Sequence, residues 1–252
     1  MLLIALLMKT LPAWQQFLNQ ALKTEGLKLI MTPNPEQLVL AHRDPCFART
    51  LQQADVLIPD GIGLVKLGGF TSRLTGVETV AYLLSNPLLQ AEKILLIGGF
   101  YQTSASKPGR LQIGQKQLFY TPGYQNAFLP TISETKAIQR LIDDIKPIVI
   151  LVAFGAPFQE NFLVSQRELM AQRGVKLALA VGGSFDFILG NLPRVPMSWQ
   201  NLDLEWLYCF DSGSMESAIV FSALAMVLDD SGDDGNWRIR RQIGRASCRE
   251  RV

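Results

Sequence analysis

The chain has 252 residues, of which 48% are hydrophobic and 18% are charged, and its formal net charge is +2. These values are typical of a packed globular enzyme and exclude a disordered or collagen-like chain. The net charge is too small to indicate nucleic-acid binding, so no nucleic-acid partner is expected. Because no apolar stretch is long enough for a spanning helix, any membrane contact is expected to be peripheral.

Short leucine-rich or β-branched runs alternate with amphipathic stretches along the chain. Five of these runs are expected to form buried strands, at 27–31, 55–58, 93–97, 148–153 and 176–181. An apolar run at 2–8 is interpreted as a further strand. This alternation predicts a Rossmann-like α/β fold, in which helices cover a mostly parallel sheet.

Three helices are indicated by their start and stop signals. Isoleucine and leucine recur at helical spacing through 134–145, and Pro147 then ends that helix. Pro35 can begin a helix that is capped by Asn34, and another helix is expected after Pro45.

Four loops follow predicted strands and carry residues that can do chemistry. Their sequences are TPNP from Thr32, PDGIG from Pro59, FGAPFQE from Phe154 and GGSFD from Gly182. Ligands of open α/β sheets bind outside the carboxyl ends of the strands. We therefore expect the four loops to form one rim that holds the site.

Asp60 is the carboxylate that most clearly indicates a site. It follows a hydrophobic strand and precedes Gly61, whose lack of a side chain leaves space in front of the carboxylate. A carboxylate there can act as a general base, and it can equally cap a helix that starts at Gly61. Glu160 and Asp186 present a similar choice, since each can face a ligand or stabilise the first turn of a helix.

Two glycine pairs, Gly98-Gly99 and Gly182-Gly183, can let backbone amides approach an anion such as a diphosphate. Both pairs can also be ordinary turns. Neither a GxxxxGK[ST] phosphate loop nor a GxGxxG dinucleotide fingerprint is present. Their absence argues against ATP hydrolysis and against a nucleotide-dependent oxidoreductase or epimerase.

Seven collinear segments resemble the WecG/TagA/CpsF family of glycosyltransferases. They extend roughly from Thr32 to Tyr208 and read TPNPEQLVLAHRD, ADVLIPDGIGLV, RLTGVE, LLIGG, GAPFQE, VGGSFDFILGNLPRVP and LEWLY. Seven motifs in order are more specific than any single glycine loop. The chain is therefore identified as a member of this family.

The resemblance implies an inverting, metal-independent hexosyltransferase that needs no cofactor besides its UDP-sugar donor. It would move an N-acetylmannosamine-type sugar to N-acetylglucosamine on a polyprenyl diphosphate, in cell-envelope polysaccharide synthesis. The enzyme would be cytoplasmic and peripheral at the inner face of the cell membrane, and a homo-oligomer would be compatible with this role.

The resemblance also implies roles for individual residues. Asp60 would deprotonate the acceptor hydroxyl, while Thr32 and Asn34 would orient the sugars. The donor site would be lined by Gly155, Gln159 and Glu160.

Without a metal, backbone amides and arginines must stabilise the UDP leaving group. No Asp-x-Asp pair precedes residue 209. Arg73 and Arg194 are the candidate arginines, although each can instead be a surface ion-pair residue. The spacer before Arg73 is shorter than the family pattern. The remaining expected substrate-binding residues are Gly182, Gly183 and Asp186.

Three regions are expected: a catalytic domain at 1–208, an atypical C-terminal appendage at 209–242 and a non-native tail at 243–252. The appendage is acidic before Trp237, where the family is basic, and the tail reads like a translated sequencing adapter. Two interpretations stay open. The chain is an active transferase, or it is an inactive relative that binds UDP-sugars and has a defective appendage.

Overall fold

The computed structural model describes residues 11–58, 60, 75–99, 108–113 and 116–183, and the structural statements below concern this part of the chain. Several sequence predictions lie outside it: the strand at 2–8, the helix start at Gly61, the boundaries at 209–242 and 243–252, and the residues Arg73, Asp186 and Arg194.

A seven-stranded sheet forms the centre of the described part. Its strands are β1 (Lys28–Met31), β2 (Val56–Leu57), β3 (Lys93–Gly98), β4 (Gly109–Ile113), β5 (Lys116–Thr121), β6 (Val149–Ala153) and β7 (Leu177–Ala180). They lie in the order β2-β1-β7-β6-β3-β5-β4, and every neighbouring pair is parallel except β4 and β5. The predicted mostly parallel α/β fold is confirmed.

Helices flank the sheet on both faces. They are α1 (Leu11–Lys23), α2 (Pro35–Arg43), α3 (Pro45–Gln52), α4 (Gly76–Ser85), α5 (Ile132–Ile145), α6 (Phe158–Ser165) and α7 (Arg167–Gln172), with a 3₁₀ turn at Pro87–Leu89. The three predicted helices are confirmed. Among the described helices, none combines the length and hydrophobicity that crossing a membrane requires.

Alternate strand residues point to opposite faces of the sheet and so build two hydrophobic cores. Leu151 of β6 joins the core that contains Trp14 of α1, whereas Ile150 joins the core that contains Phe47 of α3 and Ile142 of α5. All five side chains are almost completely buried. The central strands therefore read as continuous hydrophobic runs, as strands covered on both faces do.

The hairpin of β4 and β5 is the part of the sheet that sequence patterning missed. Lys116, the first residue of β5, is buried although lysine normally marks a solvent-facing position. Its ammonium group donates hydrogen bonds to the carbonyls of Asn86, at 2.7 Å, and Leu83, at 3.5 Å. These hydrogen bonds at the end of α4 compensate for the hydration that the ammonium group loses on burial.

The chain leaves β3 and β6 in opposite directions. From β3 it continues to β4 and β5 on one side of the sheet, and from β6 it continues to β7 on the other side. Since β3 and β6 are neighbours, the crevice between their carboxyl ends is a topological switch point, where open α/β sheets bind ligands.

Gly98 at the end of β3 allows a close approach of the β6 backbone. Its φ is +87°, and a Cβ there would lie 2.6 Å from the carbonyl oxygen of Ala153. Gly174 has a similar φ of +77°, but a Cβ there would meet nothing within 4 Å. It therefore provides a matched control that isolates the cost of the backbone conformation.

We predict that Gly174→Ala lowers the free energy of unfolding by about 1 kcal/mol, because alanine is strained at positive φ. Gly98→Ala should lose a further 1 to 3 kcal/mol, roughly, because it also clashes with backbone. Urea unfolding of both variants measures the difference. Equal losses would contradict the close packing of β3 against β6.

Candidate active site

Four consecutive strands, β2, β1, β7 and β6, precede the four loops that sequence analysis singled out. These strands are parallel, so their carboxyl ends lie on one edge of the sheet. The described beginnings of the loops therefore share one rim, as predicted.

A backbone hydrogen bond joins the loops that follow β1 and β2. The amide of Asp60 donates to the carbonyl of Pro33 at 3.0 Å. Pro33 stands between Thr32 and Asn34 in the chain, so this bond brings the three predicted catalytic residues together. Ladder pairing continues up to this point, since the amide of Ile58 donates to the carbonyl of Met31 at 2.9 Å.

The Asp60 carboxylate lies at the beginning of α4. Its Oδ2 accepts a hydrogen bond from the amide of Gly76 at 3.4 Å, and Gly76 is the first residue of that helix. Thr75 and Glu78 form a capping box that fixes the helix start. The positive end of a helix dipole stabilises a nearby negative charge. Asp60 is half-buried, and the beginning of α4 orients its carboxylate.

Thr32 and Asn34 are fixed by local hydrogen bonds. The Thr32 hydroxyl, which is buried, donates to the carbonyl of Ala180 at 3.1 Å and so ties the end of β1 to β7. Asn34 caps α2 as predicted, because its Oδ1 accepts from the amide of Gln37 at 2.8 Å. The cap leaves the Nδ2 hydrogens of Asn34 as the group that can donate to a sugar, and the orienting roles stay predictions.

Gln159 and Glu160 lie beneath the rim, in the first turn of α6. Gln159 Nε2 donates to Glu160 Oε1 at 2.8 Å, and Gln159 Oε1 accepts from the amide of Gly182 at 3.2 Å. Both side chains are almost completely buried. They therefore link α6 to the loop after β7, whereas Gly155 and Gly183 are the exposed backbone positions above them.

A cleft of about 220 Å³ opens at the switch point between β3 and β6. Its walls come from the loops after β3, β5 and β6, and consist of Gly98, Gly99, Pro122, Tyr124, Gln125, Ala127, Ala153 and Phe154. The rings of Tyr124 and Phe154 stack at 4.9 Å. Sequence reasoning singled out the glycine pair and the loop that begins at Phe154, but it did not recognise β5 and so did not examine the loop after that strand.

Comparison with known proteins shows the family of this chain. Residues 4–210 match the model of the Glycosyl transferase WecG/TagA/CpsF family. The chain belongs to the WecG/TagA/CpsF family. It is a glycosyltransferase, as the sequence motifs predicted.

Two similar proteins are both named N-acetylglucosaminyldiphosphoundecaprenol N-acetyl-beta-D-mannosaminyltransferase. The one from Bacillus spizizenii (strain ATCC 23059 / NRRL B-14472 / W23) is 30% identical over 187 residues, which cover 71% of this chain and 69% of the relative. The one from Bacillus subtilis (strain 168) is 28% identical over 192 residues, which cover 71% of this chain and 70% of the relative.

Glu160 is a buried acid with a raised pKa. Its side chain is fully buried, and its Oε2 has no hydrogen-bond partner among the residues that the structure describes. Burial raises the pKa of Glu160 to about 7, although the hydrogen bond from Gln159 acts in the opposite direction. Near neutral pH the carboxyl can therefore keep its proton.

We predict that the raised pKa of Glu160 makes the free energy of unfolding fall as pH rises. Its pKa is near 4.5 in the unfolded chain and about 7 in the folded one, so the folded state binds the proton more tightly between these values. Glu160→Gln should remove this effect. Relative to the wild type, the variant should gain about 3 kcal/mol in free energy of unfolding between pH 4.5 and pH 8.

Urea unfolding across this pH range provides the measurement, and Glu134→Gln provides a control of opposite sign. Hydrogen bonds from Thr131 and Gln125 lower the pKa of Glu134, so its contribution is present at neutral pH and is lost as pH falls. Parallel pH profiles for wild type and Glu160→Gln would show that Glu160 does not titrate as proposed.

Proposed function

We propose that this glycosyltransferase moves an N-acetylmannosamine-type sugar from UDP to N-acetylglucosamine on a polyprenyl diphosphate, in cell-envelope polysaccharide synthesis. The names of the two Bacillus relatives support the sugar and the acceptor. The observation that carries the proposal is the position of Asp60, which lies beside Thr32 and Asn34 at the beginning of α4. Because the lipid of the acceptor stays in a bilayer, we propose that the enzyme works peripherally at the cytoplasmic membrane face.

We place the nucleotide of the donor in the cleft between β3 and β6. Three strand intervals of about 4.8 Å separate β3 from β1, so the rim extends roughly 14 Å from this cleft toward Asp60. The exposed Gly155 and Gly183 lie in the loops that follow β6 and β7, the strands between these points. Their lack of side chains would allow a diphosphate to approach backbone amides closely.

Asp60 would act as the general base of a single displacement. It would accept the proton of the acceptor hydroxyl while that oxygen attacks the anomeric carbon of the donor sugar. The bond from this carbon to the UDP oxygen breaks on the opposite face, so the configuration inverts and UDP leaves with its electron pair. Thr32 and Asn34 would hold the sugars in line for this attack.

The beginning of α6 would help to stabilise the departing UDP. The positive end of a helix favours an anion, whereas an ionised carboxylate in the same turn would oppose it. A protonated Glu160 avoids that repulsion and still accepts the hydrogen bond that holds Gln159. Arg73 and Arg194 are proposed as further partners of the diphosphate.

We predict that Asp60→Asn lowers acceptor-dependent sugar transfer on the order of a hundredfold, because the amide cannot take up the proton. UDP release would be measured with UDP-N-acetylmannosamine and a short lipid-diphosphate N-acetylglucosamine acceptor. Asp143→Asn is the matched control, because it removes an exposed carboxylate that pairs with Arg173 far from the rim.

The same assay separates the alternatives. Undiminished transfer by Asp60→Asn would contradict its role as base. A wild-type chain that binds UDP and transfers no sugar would support the inactive relative that binds UDP-sugars. Loss of both UDP binding and transfer would contradict the proposed donor.

We predict that transfer proceeds without a divalent cation, with backbone amides and arginines stabilising the leaving group. The rate in excess EDTA should stay within about twofold of the rate in magnesium, a margin well below the effect expected for losing a transition-state contact. A loss of activity in EDTA that Mg²⁺ or Mn²⁺ restores would contradict metal independence.

A further inference from the structure

The segment after β5 exposes large apolar side chains beside the cleft. Residues 126–132, called the apolar tip below, include Phe128, Leu129 and Ile132, whose exposed fractions are 57%, 67% and 76%. The stretch 125–133 contains no charged residue. Exposed large apolar residues that cluster, in contrast to scattered ones, mark a surface that contacts a partner.

We infer that the apolar tip inserts into the surface of the lipid bilayer that carries the acceptor. The inference rests on the proposed function, because only a lipid-linked acceptor requires the rim to face a bilayer. A binding helix or loop of this kind places its apolar side chains at the boundary between headgroups and acyl chains.

The apolar tip is continuous with the candidate site. On its inner side, Tyr124, Gln125 and Ala127 line the cleft. The ring of Phe128 packs edge-on against Phe158, at the beginning of α6, with centroids 5.9 Å apart. A bilayer that contacts Leu129 and Ile132 would therefore lie at the carboxyl-end rim, where the acceptor has to enter.

Three backbone amides of the apolar tip are already hydrogen-bonded, which lowers the cost of placing them in an apolar medium. Asn126 accepts from the amide of Phe128 at 2.9 Å through its side chain, and from the amide of Leu129 at 3.1 Å through its carbonyl. The amide of Thr131 donates to Glu134 at 2.8 Å. These bonds also hold the apolar side chains outward before any contact is made.

A bilayer fits the apolar tip better than the other occupants that could cover it. Phe128 and Leu129 precede α5 and Ile132 is its first residue, so the three exposed side chains lie where the loop meets the helix. The stretch 125–133 is uncharged, so it offers no ionic group that would select a protein partner. The carboxylate of Glu134, which follows this stretch and accepts from the amides of Gln125 and Thr131, has to stay at the level of the headgroups.

The test is sedimentation of the full chain with neutral phosphatidylcholine vesicles at 0.5 M salt, without donor or acceptor. Leu129→Ser/Ile132→Ser should lower the vesicle partition coefficient about tenfold or more, because it removes the two most exposed apolar groups. Leu11→Ser/Leu88→Ser is the matched control, since these residues are the other exposed large hydrophobics within the described part of the chain. The control should bind as the wild type does.

Activity gives a second readout. The Leu129→Ser/Ile132→Ser variant should lose kcat/KM for an acceptor embedded in vesicles and keep it for a short water-soluble acceptor. Because the vesicle assay involves no sugar transfer, its result is independent of whether the proposed reaction is correct.

Three outcomes would overturn the inference. The wild type does not bind neutral vesicles, or the serine variant binds them as tightly as the wild type does. In the third, the wild type sediments as a dimer in analytical ultracentrifugation, the serine variant sediments as a monomer, and vesicle binding is unchanged. This result would assign the apolar tip to contact between two copies.

Discussion

The hydrogen bond from the amide of Asp60 to the carbonyl of Pro33 is the contact on which the proposed chemistry depends. It fixes the distance between a carboxylate that follows β2 and the polar side chains that follow β1. Only two residue pairs connect these strands in the sheet, so this bond extends a short ladder to the rim itself. The beginning of α4 then orients the carboxylate.

Buried polar contacts support the rim from below. Thr32 ties β1 to β7, and Gln159 ties α6 to the loop after β7. Because these side chains are buried, each bond that breaks leaves a polar group unpaired in the core. The loops that carry the exposed Gly155 and Gly183 are therefore held from below, without side-chain contacts from these glycines. A rigid lower layer and an open upper layer suit a site that binds an extended donor.

Sequence patterning was sufficient for the parts of the molecule where local chemistry and burial agree. The strands of the central sheet are continuous apolar runs, and the helix start predicted from Asn34 and Pro35 is confirmed. Sequence patterning missed β5, which begins at the buried Lys116. The ammonium group of this lysine is hydrogen-bonded to carbonyls that lie some thirty residues earlier in the chain. Missing β5 also hid Tyr124 and the cleft. Such long-range contacts leave no periodic signal along the sequence.

The predicted site residues show the same division. Motif position singled out Asp60, Thr32 and Asn34 as candidates, and the adjacency of β1 and β2 explains why these residues lie close together. Their roles stay predictions. The burial of Glu160 could not be inferred from its place in the first turn of a helix, where acids are usually exposed. Packing of α6 against β7 and β6 decides its environment instead.

A crystal structure of the chain with UDP tests the central claim most directly. The account predicts the uridine in the cleft beside Tyr124, and the diphosphate over Gly155 and Gly183, directed toward Asp60. A nucleotide bound at another edge of the sheet, or a diphosphate directed away from Asp60, would contradict the proposed site.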